Sequence, residues 1–508
     1  MNTKPNFDGF WKSAESILGS ENVTAIAETL TRYGEHTLPG ANRPPTLVVY
    51  PGSTTEVQAI VRLANETDVP LFPISTGYNV GMGSRSPVHS GQVVVDLGKR
   101  MNRILEINEK LGFAVLEPGV SFQVIADELR RRGGHWMISV TSGPPQGSVV
   151  GNAADKGSGY GPHFDHFAST CGMEIVLGNG ELLRTGDGVV EHESRPNWHL
   201  SKYSFGPILD GLFTQSNFGI ITQLGVWLLP RPPVIQSFHF NYPDEDDLAE
   251  IVELARPLKF SNFVPSVFRI SGDLYMAGTE DVSPNYVDGG RRGRIDDGTR
   301  RALQKKHGVG TWTVSGAFYG PSTQALVPQI TRIREVFEAS GKATYLGHDE
   351  SLSNPIFQTI INGFEGTPTS QELGLLKWRP GGGAMWFLPG TPMIGETANR
   401  TQKQTRKTLA KYDFDYIVLN VAAARFMRNL HLICYDRENP EERKRADLCY
   451  RELTALYQSD GINVGRSPND YYDFHLSSLM PAFASTCSAL KNALDPKHVL
   501  APGRYGMQ

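Results

Sequence analysis

Apolar and polar residues along positions 46–230 follow two different periods, which predict a mixture of helices and strands. In the run Thr55–Glu66 apolar residues recur every three or four positions, and this spacing predicts an amphipathic helix. The short apolar runs Val69–Ile74 and Val93–Leu97 predict buried strands. Ser121 can cap a further helix, because a serine hydroxyl accepts a hydrogen bond from a free amide of the first turn.

The strongest short-range signal is a hairpin over Glu174–Thr185, in which Asn179 and Gly180 supply the turn. The proline-rich segment Trp227–Val234 interrupts both periods and indicates a crossing between two domains. Beyond it, helical and strand patterns mix again up to about residue 464. The chain has 508 residues, too many for one compact core, so at least two domains are expected.

Composition and charge narrow the possible classes of protein. Hydrophobic residues make up 39% of the chain and charged residues 20%, an ordinary globular balance that argues against disorder. The net charge of −4 gives no electrostatic reason to expect nucleic acid or an anionic membrane as a partner. The basic stretch Arg291–Lys306 is expected to form a solvated loop and helix face, with docking of a partner as the alternative.

The cellular setting is inferred from what the sequence lacks. The four cysteines form no CxxC pair, as expected in a reducing compartment, and no metal-ligand spacing is present. No window approaches about 18 uninterrupted apolar residues, so no transmembrane span is expected. The N-terminus lacks the apolar segment of a signal peptide. We therefore expect a cytoplasmic protein that holds no metal.

Two glycine-rich segments carry the candidate chemistry. The first, Pro73–Pro87, follows a predicted strand and offers turn-compatible residues whose backbone amides can surround a pyrophosphate. An ordinary glycine-rich turn is the alternative, and the segment lacks the GxGxxG pattern of the usual dinucleotide fold. The second, Ser139–His166, contains six glycines and ends in His163, Asp165 and His166. Its length and composition favour a loop that lines a ligand site.

Together with three further motifs, these segments resemble the vanillyl-alcohol oxidase and p-cresol methylhydroxylase flavoproteins. The motifs are Glu117-Pro118-Gly119-Val120, the hairpin GMEIVLGNGELLRTG and the closing LDPKHVLAPGRYG, and Tyr435–Asp447 is also similar to that family. The resemblance runs from about residue 45 to the C-terminus. It implies an α+β fold with a PCMH-type FAD-binding domain, residues 1–232 completed by 465–508, and an inserted α+β cap domain, residues 233–464.

The resemblance also implies which residues hold FAD and substrate. The cofactor residues would be Pro73, Ser75, Gly77, Tyr78, Asn79, Gly81, Met82, Gly83, Ser84, Pro118, Gly119, Ser148, Gly151, Asn152, Gly159, Gly161 and Arg504. Asp165 would lie beside the flavin as proton acceptor or electrostatic support, and Arg466 would anchor the substrate. The substrate pocket would contain Met82, Tyr160, Trp386, Arg428, Gly465 and His475. His163 and His166 are further candidate proton acceptors, and a structural role is the alternative for both.

Phenol-oxidising members of the family hold the substrate as a phenolate with two tyrosines and an arginine. This sequence differs from them at both tyrosine positions. Met82 and Gly465 occupy the tyrosine positions, and neither side chain donates a hydrogen bond. Arg428 stands where the family often carries a histidine pair, and with Arg466 it could hold a carboxylate. A surface or salt-bridge role for Arg428 is the alternative. Two substrate classes follow: a 4-alkylphenol or benzylic alcohol, and an analogue that bears a carboxylate.

We expect FAD to be bound without a covalent link. Family members attach FAD through a histidine or a tyrosine near the WFxP motif, whereas residues 365–402 contain neither, and Ala384 occupies the histidine position. The expected function is an FAD-dependent oxidoreductase that takes hydride from a small aromatic substrate and passes electrons to oxygen or a cytochrome-like acceptor. A homodimer is expected. The alternatives are a non-redox flavoprotein, such as a cyclase or lyase, and a binding module with a vacant site.

Overall fold

The computed structural model describes residues 5–287 and 293–508, so Arg291 and Arg292 of the basic stretch lie outside it. The helices of the N-terminal part are α1 (Phe7–Leu18), α2 (Ala27–Gly34), α3 (Thr54–Thr67), α4 (Phe122–Arg131) and α5 (Val149–Ala154). Its strands are β1 (Val23–Thr24), β2 (Leu47–Val49), β3 (Leu71–Ile74), β4 (Val93–Asp96), β5 (Ile104–Asn108), β6 (Phe113–Leu116), β7 (Trp136–Met137), β8 (Thr170–Leu177), β9 (Leu182–Arg184), β10 (Gly219–Trp227) and β11 (Leu229–Pro230).

Most strands of the N-terminal part belong to two sheets. Strands β2 and β3 both pair in parallel with β4, in the order β1-β2-β4-β3, and the second sheet is antiparallel with the order β5-β6-β10-β8-β9. Helix α3 packs on the first sheet through apolar residues of the predicted helical face, and Val57, Ile60 and Val61 have no exposed surface. Burial of this face against β2, β3 and β4 fixes the strands on either side of the first glycine-rich segment.

The local predictions for this part are confirmed. Helix α3 begins after Ser53, whose hydroxyl accepts from the amide of Glu56, and Ser121 caps α4 in the same way. The predicted hairpin is formed by β8 and β9, and Gly180 in its turn has φ of +81°. A positive φ is readily adopted by glycine, which is why this sequence pattern predicts a turn so well.

The middle of the chain forms an antiparallel sheet covered by helices. Its strands are β12 (Val234–Tyr242), β13 (Phe268–Gly272), β14 (Trp312–Gly320), β15 (Thr344–Gly347), β16 (Gly383–Pro392), β17 (Ile417–Ala422), β18 (Phe426–Tyr435) and β19 (Val464–Arg466), in the order β15-β12-β14-β13-β17-β18-β16-β19. Its helices are α6 (Asp247–Phe260), α7 (Asp273–Ala277), α8 (Asp297–His307), α9 (Thr323–Glu338), α10 (His348–Ser351), α11 (Pro355–Phe364), α12 (Gly395–Lys411) and α13 (Pro440–Ser459). We call residues 233–464 the cap.

The C-terminal tail contains α14 (Tyr472–Ser477) and α15 (Pro481–Leu494) and returns to the N-terminal part. Leu500 forms a parallel bridge with Leu71 of β3, and the Asn217 amide donates to the carbonyls of Ala501 and Met507. Strand β19 pairs with β16 of the cap sheet, so the predicted boundary between residues 464 and 465 falls inside a strand.

Three negative findings apply to the described ranges. No helix there is long and apolar enough to cross a membrane. No three histidine, cysteine, aspartate or glutamate side chains there lie close enough together to hold a metal ion. All four cysteines fall inside the described ranges, and none of them forms a disulfide.

Candidate active site

One cavity is lined by both glycine-rich segments together with the cap and the C-terminal tail. It contains about 1420 Å³ of space free of protein atoms, part of it continuous with solvent. The predicted site residues in its wall are Ser75, Gly77, Tyr78, Asn79, Met82, Gly83, Ser84, Ser148, Gly151, Asn152, Trp386, Arg466 and Arg504.

The first glycine-rich segment forms a tight loop after β3. Gly77, Gly81 and Gly83 have φ of +73°, +77° and +126°, a region that side chains rarely tolerate. Gly81 also touches the cap, because a Cβ at this position would overlap the indole of Trp386. Met82, which follows, is buried in the cavity wall. The loop therefore brings the backbone, without intervening side chains, up to both the cavity and the cap.

The second segment is held in place by hydrogen bonds at the start of α5. The Ser148 hydroxyl accepts from the Gly151 amide at 2.8 Å and donates to the Pro118 carbonyl at 2.6 Å. The Asn152 side-chain oxygen lies 2.6 Å from Nδ1 of His166. Burial lowers the pKa of His166 to about 3, so its ring is neutral and Nδ1–H donates to Asn152. His166 therefore orients a residue of the wall, while its Nε2 has no hydrogen-bond partner among the described residues, and its role as proton acceptor stays a prediction.

Six predicted cofactor residues are not part of the cavity wall: Pro73, Gly81, Pro118, Gly119, Gly159 and Gly161. The Pro73 carbonyl accepts from the guanidinium of Arg504 at 3.0 Å. A Cβ on Gly119 would lie 2.6 Å from two backbone carbonyl oxygens, and one on Gly159 would overlap the Ser139 hydroxyl. These positions shape the cavity by permitting close packing around it.

Arg466, the predicted substrate anchor, forms a salt bridge with Asp155 in the cavity wall. Arg466 ends β19, and Asp155 follows α5; their side chains are 20% and 15% exposed. Oδ2 of Asp155 also accepts from the Asn79 amide at 3.3 Å, and Oδ1 accepts from the Tyr505 hydroxyl at 3.0 Å. Nη1 of Arg466 has no hydrogen-bond partner among the described residues and is available to a ligand.

Asp165, predicted to lie beside the flavin, is not part of the cavity wall. Its carboxylate accepts from the Ala168 amide at 3.0 Å, and its backbone pairs with Ser158. Asp155, ten residues earlier in the same glycine-rich segment, occupies a place in the wall. The sequence offers two aspartates in one irregular loop, and no periodicity indicates which of them faces the ligand.

Four predicted pocket residues also lie outside the wall: Tyr160, Arg428, Gly465 and His475. Nη1 of Arg428 donates to the Lys156 carbonyl at 2.9 Å, and its guanidinium lies 5.3 Å from the Phe164 ring. Burial, and next the charge of Arg466, lower the pKa of Arg428. These contacts occupy Arg428 in the protein, although it forms neither the salt bridge of the alternative interpretation nor part of the cavity wall among the described residues.

The other three, Tyr160, Gly465 and His475, contact protein groups and do not face the cavity. The Tyr160 ring packs 4.2 Å from the guanidinium of Arg269, and the Gly465 carbonyl accepts from Gln215. His475 lies 3.0 Å from the Tyr450 hydroxyl, and burial lowers its pKa to about 4. His163, the remaining candidate proton acceptor, also has a pKa lowered by burial, and it is not part of the wall.

The cap contributes a polar pair that the sequence did not single out. Glu372 and Tyr275 line the cavity, and Oε1 of Glu372 accepts from the fully buried Arg269 at 2.5 Å and from Tyr275 at 3.4 Å. Oε2 of Glu372 has no hydrogen-bond partner among the described residues, although the residue is only 7% exposed. Arg269, Tyr275 and Glu372 are far apart in sequence, so no motif could reveal this group. Leu376, Leu388 and similar apolar residues form the rest of the cap wall.

The wall fits FAD. Glycines at positive φ let the backbone approach a ligand, and the buried Ser142 hydroxyl has no protein partner among the described residues. The Arg504 guanidinium forms no salt bridge there, so its charge remains available to an anionic group. A cavity with these donors and with apolar walls suits a large, partly anionic cofactor.

Comparisons with known proteins agree with the geometry. A family model described as an FAD binding domain matches residues 45–186. The flavoprotein subunit of 4-cresol dehydrogenase (hydroxylating) from Pseudomonas putida is 36% identical, with 99% of this chain and 96% of that protein covered. The chain belongs to the vanillyl-alcohol oxidase and p-cresol methylhydroxylase family. The 1'-carboxy-chondrochloren decarboxylase from Chondromyces crocatus is 30% identical, with 99% and 98% covered.

Solved structures of this family superpose closely on the chain. Substrate-bound p-cresol methylhydroxylase gives a TM-score of 0.95 at 36% identity, covering 99% of this chain and 97% of that one. The 4-ethylphenol oxidase from Gulosibacter chungangensis, in complex with isoeugenol, gives 0.94 at 31% identity and covers 99% of each chain. The predicted PCMH-type fold is thus confirmed. The chain is an FAD-dependent oxidoreductase, and the reading as a vacant binding module is wrong.

Proposed function

We propose that this flavoprotein oxidises a small aromatic substrate, a 4-alkylphenol or a benzylic alcohol, by removing hydride from a C–H bond next to the ring. The observation that carries this proposal is the single cavity in which both glycine-rich segments, the Asp155–Arg466 pair and an apolar cap wall meet. FAD supplies the hydride acceptor when bound, and the protein supplies orientation, charge and exclusion of water.

Within this proposal, the glycine-rich loops and Arg504 hold the cofactor, while the cap wall covers the substrate. Loss of hydride leaves positive charge on the substrate carbon, which a fixed carboxylate stabilises. Asp155 and Glu372 are the carboxylates of the wall. Asp155, which pairs with Arg466 beside the glycine-rich loops, is the one to which we assign the role that the sequence suggested for Asp165. Arg466 holds Asp155 and keeps Nη1 available to a substrate oxygen.

The unpaired polar atoms of the wall favour a hydroxyl-bearing substrate. Arg466 Nη1 is a donor, whereas Oε2 of Glu372 is an acceptor that requires a donor on the ligand. A hydroxyl group can satisfy either atom. An ionised carboxylate cannot donate to Glu372 and is repelled by its charge. Met82 lines the wall where relatives place a tyrosine, so this chain holds a phenol with a different set of groups.

An analogue that bears a carboxylate is the second candidate. The 30% identical decarboxylase, named for a carboxylated compound, favours it. Against it, Arg466 is already paired with Asp155, and Arg428 contacts Lys156 and Phe164 outside the wall. We therefore rank the hydroxyl-bearing class first.

Several properties remain proposals. Residues 365–402, where relatives carry the linking histidine or tyrosine, contain neither, and Tyr275, the cap tyrosine in the wall, donates to Glu372; both observations support non-covalent FAD. The named relatives include a dehydrogenase and an oxidase, so both a cytochrome-like acceptor and oxygen remain candidates. Four cysteines without disulfides support a cytoplasmic location. A homodimer stays a prediction.

Anaerobic titration of the yellow protein tests the substrate class. We expect 4-ethylphenol to bleach the flavin absorbance near 450 nm at roughly stoichiometric amounts, because hydride transfer reduces the cofactor. The matched probe 4-ethylbenzoate, which replaces the hydroxyl by a carboxylate, should bleach it far more slowly. Bleaching by 4-ethylbenzoate alone would establish the second candidate, and bleaching by neither probe would remove both.

A further inference from the structure

The C-terminal tail places one tyrosine against the carboxylate of the cavity wall. The Tyr505 hydroxyl donates to Oδ1 of Asp155 at 3.0 Å, while Oδ2 faces Arg466 and Asn79. Tyr505 itself is not part of the wall. Its hydroxyl therefore reaches the cavity through Asp155, whose two oxygens are held by different residues.

The backbone at Tyr505 is strained. Its φ of +56° and ψ of 23° lie in the left-handed region, where a bulky side chain is a true outlier. Gly503 and Gly506, its near neighbours, also have positive φ and adopt it at little cost. A glycine at 505 would remove the strain, so the tyrosine is retained at an energetic cost. Outliers of this kind concentrate at functional sites.

Surrounding contacts hold the strained turn in place. Asn217 donates to the carbonyls of Ala501 and Met507, on either side of the turn. The Tyr505 ring packs 4.8 Å from the ring of Tyr472, which does line the cavity. The turn is thus fixed on both sides, and the direction of the Tyr505 hydroxyl is set by the fold.

We propose that Tyr505 is a positioning residue for the reaction: it fixes the orientation of the Asp155 carboxylate in the active-site wall. This inference rests on the role proposed for Asp155. With Oδ1 held, the carboxylate cannot rotate about its Cβ–Cγ bond, and the Arg466 contact to Oδ2 keeps its geometry. A misplaced carboxylate stabilises the transition state less well, while binding of substrate in the ground state is unchanged.

The test is Tyr505→Phe, which keeps the ring and the backbone but removes the donor. The limiting rate of anaerobic flavin reduction by 4-ethylphenol should fall about tenfold, the size expected for one hydrogen bond to a charged group. The substrate concentration at half-maximal rate should change less than twofold, since roughly unchanged ground-state binding is the mark of positioning. Tyr416→Phe is the matched control, because that buried hydroxyl has no hydrogen-bond partner among the described residues, lies outside the cavity wall, and its loss should leave both values unchanged.

A second measurement does not depend on turnover. Thermal midpoints are compared for Tyr505→Phe in the wild-type and Asp155→Asn backgrounds. If the hydroxyl acts on the Asp155 carboxylate, Tyr505→Phe lowers the midpoint by a few degrees in the first background and much less in the second. An equal shift in both backgrounds, or an unchanged reduction rate, overturns the inference. If no phenol reduces the wild-type flavin, the proposed function fails, and the thermal comparison still decides whether Tyr505 and Asp155 are coupled.

Discussion

The carboxylate of Asp155 is bound by the guanidinium of Arg466 within the cavity wall, although 311 positions separate the two residues. Asp155 belongs to the second glycine-rich segment and Arg466 to the strand that closes the cap sheet. The same carboxylate also accepts from Asn79 and Tyr505. Residues from three other stretches of the chain therefore converge on this single side chain.

Asp155→Asn is expected to slow flavin reduction by about 10²–10³-fold, since general acid–base and electrostatic groups contribute effects of this size. Stopped-flow absorbance under anaerobic conditions with 4-ethylphenol measures the rate. Asp165→Asn is the matched control from the same loop and should retain a near wild-type rate, because Asp165 is not part of the wall. The opposite ranking of the two variants would return the role to Asp165.

Glu372→Gln is expected to change which ligands the site prefers. The substitution removes a negative charge whose Oε2 has no partner among the described residues. Affinity for 4-ethylphenol should fall about tenfold, and affinity for 4-ethylbenzoate should rise, because charge repulsion is removed. Ligand titrations followed by the flavin spectrum measure both constants. Equal changes for 4-ethylphenol and its methyl ether, 4-ethylanisole, would show that Glu372 does not recognise the hydroxyl.

FAD should leave the protein on acid precipitation. Residues 365–402, which include Trp386 of the wall, contain neither histidine nor tyrosine, the two residue types that relatives use for the covalent link in this stretch. We expect the yellow colour in the supernatant, with the spectrum of free FAD. A yellow pellet that persists after washing would show a covalent bond, and peptide mapping would then locate it.

Gly81→Ala is expected to disrupt the first glycine-rich loop. The position has φ of +77°, and a Cβ would overlap the indole of Trp386. Gly134→Ala is the matched control: its φ is +69°, but no atom lies within 4 Å of the added Cβ. The control carries only the backbone cost of about 1 kcal/mol, whereas Gly81→Ala adds a steric clash. Gly81→Ala should therefore show the lower thermal midpoint and weaker FAD retention, and equal losses would argue against the packing role.

Stability should fall in acid through buried histidines such as His431. Its ring is 2% exposed, neither nitrogen has a partner among the described residues, and burial lowers its pKa from 6.5 to about 3. Between these values the unfolded chain binds a proton that the folded chain does not, so the free energy of unfolding decreases as pH falls. His431→Leu should flatten the dependence of thermal midpoint on pH between 7 and roughly 5. If the thermal midpoint changes with pH equally in His431→Leu and in the wild-type protein, His431 does not cause the loss of stability in acid.

Local sequence patterns were sufficient for elements whose residues are contiguous. The helical face of α3, the cap at Ser121 and the Asn179-Gly180 turn are each set by neighbours in the chain, and the structure confirms all three. The resemblance identified both loops of the cofactor site. It implies Asp165 as the carboxylate beside the flavin, whereas the structure places Asp155 in the cavity wall, and an irregular loop has no period from which the facing residue can be deduced.

Long-range features were beyond reach of the sequence. Arg269, Tyr275 and Glu372 lie on a strand, a short helix and a turn, and only the fold brings them to one wall. Arg428 was predicted to be a second cation in the pocket, but in the structure its guanidinium donates to the carbonyl of Lys156. The partners of these residues are set by tertiary contacts, and such contacts produce no recognisable spacing in the sequence.

The position of β19 has a consequence for how the enzyme is assembled. Because this strand is held by β16 of the cap sheet, Arg466 reaches Asp155 only after the cap has folded and docked. The N-terminal half alone would carry Asp155 without its counter-charge and without the donor from Tyr505. A fragment that ends before β19 would lack both of these groups, and under the proposed function it would be inactive even if it bound FAD.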